Sequence, residues 1–94
     1  MKVKKDRYFR SRGGIYTLLD IYCENCSEKM FTYQKDGGGN LHRLYVDRIQ
    51  PLVQETLEGR CGNCGRLFGI VYIYKKELRP AIRLSVNSIK TQRV

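Results

Sequence analysis

The chain has a single histidine, His42, so no second imidazole is present to pair with it. No nucleophile–base arrangement or catalytic carboxylate pair stands out either. That scarcity argues against an enzyme and for a chain that binds. His42 itself is read as an ordinary polar or stacking residue. No apolar run approaches the roughly 18 residues needed to cross a bilayer, so no membrane role is expected. The opening MKVKKDRYFRSRGG lacks the apolar stretch of a secretory leader, and neither end carries a lipidation motif. A cytoplasmic chain is the expectation. There is no low-complexity segment and no repeat beyond two short cysteine turns.

Acidic residues are also scarce. Nine Asp and Glu stand against eighteen Lys and Arg, a formal charge of +9 over 94 residues. Such a balance favours an anionic partner, nucleic acid first, and says nothing about the fold. At this length the chain has room for one core.

Residues 1–14 read as a basic, flexible N-terminal arm, and residues 15–94 as the folded domain. The arm carries Lys2, Lys4, Lys5, Arg7, Arg10 and Arg12, offset only by Asp6, with Tyr8 and Phe9 among them. Positive charge mixed with aromatic rings suits single-stranded nucleic acid, where phosphates are attracted and bases stack. RNA is expected over DNA. Deleting residues 1–12 is expected to leave the fold intact, since no predicted strand lies there. Arg43 and Arg48 are added as basic contacts from the body.

Most of the domain reads as β. IYTLLDIY (15–22) places Ile15, Thr17, Leu19 and Ile21 on one face, and KMFTYQK (29–35) reads as its returning strand. DGGGN (36–40) reverses the chain. Residues 41–49 fit a helix face or a strand, and a strand is preferred because a short glycine loop after a strand usually makes a hairpin. LFGIVYIY (67–74) is apolar on both faces apart from Gly69. It is predicted to be a central strand, or one lying at a contact surface for a protein partner or a second copy. In AIRLSVNSI (81–89), Ile82, Leu84 and Val86 face one way and Arg83, Ser85 and Asn87 the other. KDGGGN (35–40) can cradle a phosphate on its backbone N–H groups, with Lys35, Arg43 and Arg48 nearby. It lacks the G-K-[ST] ending of a P-loop, so a plain hairpin loop is preferred.

All four cysteines fall in two pairs, CENC (23–26) and CGNC (61–64). Two residues between cysteines let one tight turn aim both sulfurs at a point. Two such turns give Cys23, Cys26, Cys61 and Cys64 around one ion, an arrangement that tetrahedral Zn²⁺ favours. With four protein ligands the metal is structural, not catalytic. Gly65 suits the left-handed backbone often needed just past the second cysteine, whereas Ser27 holds that place in the first turn. Arg60, Lys29 and Arg66 lie close enough to offset the −2 charge of a Zn–thiolate centre, or are merely solvated. A redox pair of thioredoxin type would sit at a helix start beside a βαβ pattern, and neither pair does.

On these pairs, the glycine after Cys64 and the flanking strands, residues 15–75 resemble the zinc-ribbon group, which includes rubredoxin-like proteins. The resemblance implies a small β domain with two cysteine knuckles on hairpins and further antiparallel strands after them. It implies little about function, because such ribbons serve many roles. Electron carriers of rubredoxin type are typically acidic, which disfavours iron and electron transfer here.

Overall fold

The first hairpin forms where the alternation places it, in a computed structural model that describes all 94 residues. Tyr16–Cys23 (β1) pairs antiparallel with Lys29–Asp36 (β2), and the first cysteine pair makes the turn. Inward residues Leu19, Ile21, Phe31 and Tyr33 are buried, so one face of the hairpin carries the core. Residues 41–49 split between two sheets. Arg43–Tyr45 (β3) pairs with Arg79–Leu84 (β6), whereas Ile49–Gln50 (β4) pairs with β2. Val46–Arg48 is a 3₁₀ turn that carries the chain from one sheet to the other. The preferred strand is therefore present in two pieces.

Gly69–Tyr74 (β5) pairs with β6, and Ile89–Arg93 (β7) pairs with β1. The result is two antiparallel sheets, ordered β4-β2-β1-β7 and β3-β6-β5, in one small, mostly β domain. Their inner faces meet through Leu19, Ile21, Phe31, Tyr33, Leu44, Val46, Ile49, Phe68 and Ile82. Phe31 and Phe68 pack across this interface as a tilted pair with ring centroids 5.9 Å apart. Fully burying an aromatic or branched side chain stabilises by about 1.5–3 kcal/mol, so this cluster is the main apolar contribution.

Two expectations are corrected. Residues 67–74 do not form a central strand: β5 is an edge, because the chain after β6 crosses to the other sheet. Phe68 is buried, but Ile70, Val71 and Ile73 are exposed. The N-terminal arm, expected to be flexible, is folded onto the body. Arg7–Ser11 forms a short helix (α1) whose N-cap Asp6 accepts from the N–H groups of Tyr8 and Phe9. Phe9 is buried beside Tyr16. Ahead of the helix, Lys4 exchanges two hydrogen bonds with the Gln34 side chain, each 2.7 Å. Gln34 is fully buried, so these bonds satisfy polar atoms that water cannot reach. A second short helix, Gln54–Leu57 (α2), leads into the second cysteine turn.

Candidate metal centre and the outer face of the second sheet

Both cysteine turns use the same backbone hydrogen bonds. Cys23 N–H donates to the Glu28 carbonyl and Ser27 N–H to the Cys23 carbonyl; Cys61 and Gly65 repeat this with Arg66 and Cys61, every bond 2.9 Å. The turns also share their left-handed residue, Ser27 at φ 65° and Gly65 at φ 77°. Serine thus adopts the conformation that glycine takes in the second knuckle. The first knuckle joins two long strands. The second is closed by a single bridge, Arg60 to Leu67, and by Arg60 Nη1 donating to the Gly65 carbonyl at 3.2 Å.

The two turns converge as their spacing predicts. All four sulfurs lie within 4.8 Å of one another, and the closest pairs, Cys23–Cys64 and Cys26–Cys61, are each 3.7 Å apart. Ligands about 2.3 Å from a tetrahedral ion stand about 3.8 Å from one another. The donor set and its size therefore fit a four-coordinate metal, held by Cys23, Cys26, Cys61 and Cys64. None of the four is in a disulfide. The Asn25 amide, 3.4 Å from Cys64 Sγ, holds that thiol down to about 6, while burial pushes Cys61 up to about 11. Of the cations expected to offset the thiolates, Lys29 is paired with Asp20 at 3.0 Å and Arg60 serves the turn itself.

The basic residues proposed for nucleic acid separate into two groups. Arg48 is 1% exposed and bonds Asp6 at 2.6 Å and Asp36 at 2.9 Å, so it cannot meet a phosphate. Phe9 is buried and cannot stack on a base. Arg12 pairs with Glu77 and donates to the Tyr45 hydroxyl. Tyr8 covers Arg79, whose guanidinium lies 4.0 Å from the Tyr8 ring centre and 3.7 Å from that of Tyr45. These four residues dock the arm. Lys2, Lys4, Lys5, Arg7 and Arg10 remain exposed.

Arg43 belongs to a surface that the sequence did not reveal. Strand register places Arg43, Arg83 and Ile70 in one row on the second sheet, Tyr45, Ala81 and Tyr72 in the next, and Arg79 and Tyr74 in the third. This face is the outer one, because Leu44 and Ile82 on the opposite face are core. Arg43 lies 4.1 Å from the Tyr74 ring centre and donates to the Tyr72 hydroxyl at 3.0 Å, and Arg83 lies 5.1 Å from the Tyr72 ring centre. The period of two in Ile70, Tyr72 and Tyr74, set against Arg83, was the available signal. An apparently uniform apolar run concealed it.

Ion pairing leaves the surface charge one-sided. Arg12, Lys29, Arg48, Arg79 and Lys90 take up six acids. Thirteen of the eighteen basic residues then have no carboxylate within 4.0 Å, and only Glu28, Glu55 and Glu58 are unpaired acids. No helix is long and apolar enough to cross a membrane.

Fold and site together define a small two-sheet β protein with a tetracysteine cluster able to hold a metal ion. Comparison with protein-family models, with curated proteins and with solved structures finds no match.

Proposed function

We propose that the chain is a zinc-stabilised binding protein, not an enzyme, that takes single-stranded nucleic acid on the outer face of its second sheet. The observation that carries this is the interleaving of half-buried Tyr72 and Tyr74 with Arg43 and Arg83 on the part of the outer face that the docked arm leaves uncovered. Elsewhere on that face Tyr45, Ala81 and Arg79 are buried. Aromatic rings and guanidinium planes stack on unpaired bases, and the same arginines attract phosphates. The exposed cations of the docked arm extend the positive field. RNA is the expected form over DNA.

Zinc is the expected metal, because four thiolates in this geometry suit it and a +9 chain is unlike the acidic iron carriers. An iron–thiolate centre would colour the purified protein, and a zinc centre would not.

Binding of unstructured RNA and the matched DNA, measured at several salt concentrations, tests the proposal. Tyr72→Ala should weaken binding by ~1–3 kcal/mol with little dependence on salt. Arg83→Ala should reduce the slope of log K against log salt by about 0.7, one phosphate contact on a single strand. No binding at low salt, or variants that bind like the parent, would exclude this role.

A second reading is supported by the edge of β5. Leu57, Leu67, Ile70 and Val71 line an exposed apolar groove beside it, and 67–74 carries no charge or proline to discourage pairing. Edge-to-edge pairing of two copies would cover this strand.

A further inference from the structure

The glycine loop encloses a polar cavity of about 130 Å³ against the arm and β3. That is roughly ten times the space one water requires. Its walls include Arg12, Lys35, Asn40, His42, Arg43 and Tyr45. We propose that this cavity binds a phosphate group, a tetrahedral oxyanion held by side-chain cations and loop N–H groups together.

Three observations support the assignment. First, the wall carries more positive than negative charge, Arg12, Lys35 and Arg43 against Asp36. Lys35 and Arg43 have no carboxylate partner; the Lys35 ammonium donates only to the Gly37 carbonyl, at 3.1 Å. Asp36 also lines the cavity; its Oδ2 takes Arg48 at 2.9 Å and its Oδ1 the Gln34 amide at 2.7 Å. Because Arg48 is shared with Asp6, the Asp36 charge is only partly offset, leaving Lys35 and Arg43 to outweigh it. Second, donors are in surplus. The N–H groups of residues 38–42 form no hydrogen bond with any backbone carbonyl or side chain. An anion accepts from several such donors at once, and backbone N–H groups in a glycine turn are a common way to supply them.

Third, the loop is fixed in place. Gly37, at φ 76°, donates to the Ile15 carbonyl, and a Cβ there would come within 2.9 Å of the Arg12 carbonyl oxygen. The docked arm therefore holds the loop in position. A cradle of preset donors loses little entropy on binding.

The proposal shares Arg43 with the sheet face and deepens that reading, placing one phosphate of a bound strand at its margin. A free phosphate has the same chemistry, so the test separates the two. The zinc-loaded full chain, labelled with ¹⁵N, is titrated with inorganic phosphate at constant ionic strength. The expected result is a saturable shift of the Gly38, Asn40 and Leu41 amides, which line the cavity, weakened roughly tenfold by Lys35→Ala, the worth of one charge-assisted hydrogen bond. Lys35→Arg should restore most of it. Shifts that do not saturate, that spread over Lys75 and Lys76 equally, or that weaken less than threefold in Lys35→Ala would overturn the site.

Oligonucleotides with and without a terminal phosphate form the second arm. If inorganic phosphate saturates the loop but no oligonucleotide binds, the cavity stands and serves a free phosphate, while the nucleic-acid role falls. If oligonucleotides bind through Tyr72 and the loop amides stay still, the cavity proposal falls alone.

Discussion

Asp6 and Arg48 lie 42 residues apart in sequence and 2.6 Å apart in space. Asp6 also caps α1, so one carboxylate both starts the helix and satisfies a guanidinium that is 1% exposed. Asp6→Asn should cost ~1–3 kcal/mol, the upper part reduced because Arg48 keeps Asp36. Deleting residues 1–12 should cost more, since Phe9, the Gln34 clamp and the Tyr8–Arg79 stack are lost as well. Urea unfolding of the three proteins measures this. A truncated chain as stable as the parent would show the docking to be incidental.

Acid should loosen the same contact. The hydrogen bond from Arg48, helped by the helix N–H groups and opposed by burial, which alone would raise it, holds the Asp6 carboxyl well below its usual range. A depressed carboxyl stabilises the fold above its unfolded value, near 3.9, and loses that contribution as pH falls below it. The stability difference between the parent and Asp6→Asn should therefore shrink below about pH 4. Thermal melts of both proteins between pH 3 and 7 supply the comparison, and taking the difference cancels metal loss common to both. A constant difference would disprove the linkage.

Ser27 and Gly65 give a matched pair of substitutions. Both occupy left-handed backbone at equivalent places in the knuckles. A side chain there costs roughly 1 kcal/mol relative to glycine. Ser27→Gly should raise the melting temperature by a few degrees, and Gly65→Ala should lower it by a similar amount. Opposite signs in one calorimetry series are the expected outcome; a loss in both would mean that the Ser27 hydroxyl matters more than its backbone.

Metal removal should be the largest perturbation. Structural zinc contributes on the order of 10–16 kcal/mol in small peptides, comparable with the whole stability of a domain this size. Cys61→Ser, or a strong chelator, should abolish the cooperative melt at 25 °C and above. A chain that native mass spectrometry shows to be metal-free and that melts like the parent in calorimetry would reverse this conclusion.

The β5 edge makes a separate prediction. If two copies pair there, light scattering will report a dimer, and Ile70→Lys will return it to a monomer without disturbing the core, since Ile70 is 68% exposed. A monomer at high concentration would remove the second reading.

The tetracysteine cluster was legible because the spacing within each cysteine pair is a local property, and so was the β1–β2 hairpin, where alternation and turn agree. The arm was not. Its docking depends on Arg48, buried by a 3₁₀ turn that no local pattern marks, and on Tyr45 and Arg79 arriving from another sheet. The edge position of β5 was hidden for a related reason. Its composition suits a central strand, and only the exchange of β7 into the first sheet leaves it without a second neighbour.

That exchange also bears on the order in which the sheet can form. β1 pairs along one edge with β7, so Leu19 meets Arg93 and Cys23 meets Ile89. Contacts between such distant residues form late, because a long loop must close first. Both knuckles lie ahead of residues 89–93 in the chain, so an ion held by the four sulfurs would gather β1, β2 and the second turn while one side of β1 still has no partner. With a metal bound, the four sulfurs would act as a clamp in time, keeping an unfinished sheet together until β7 arrives.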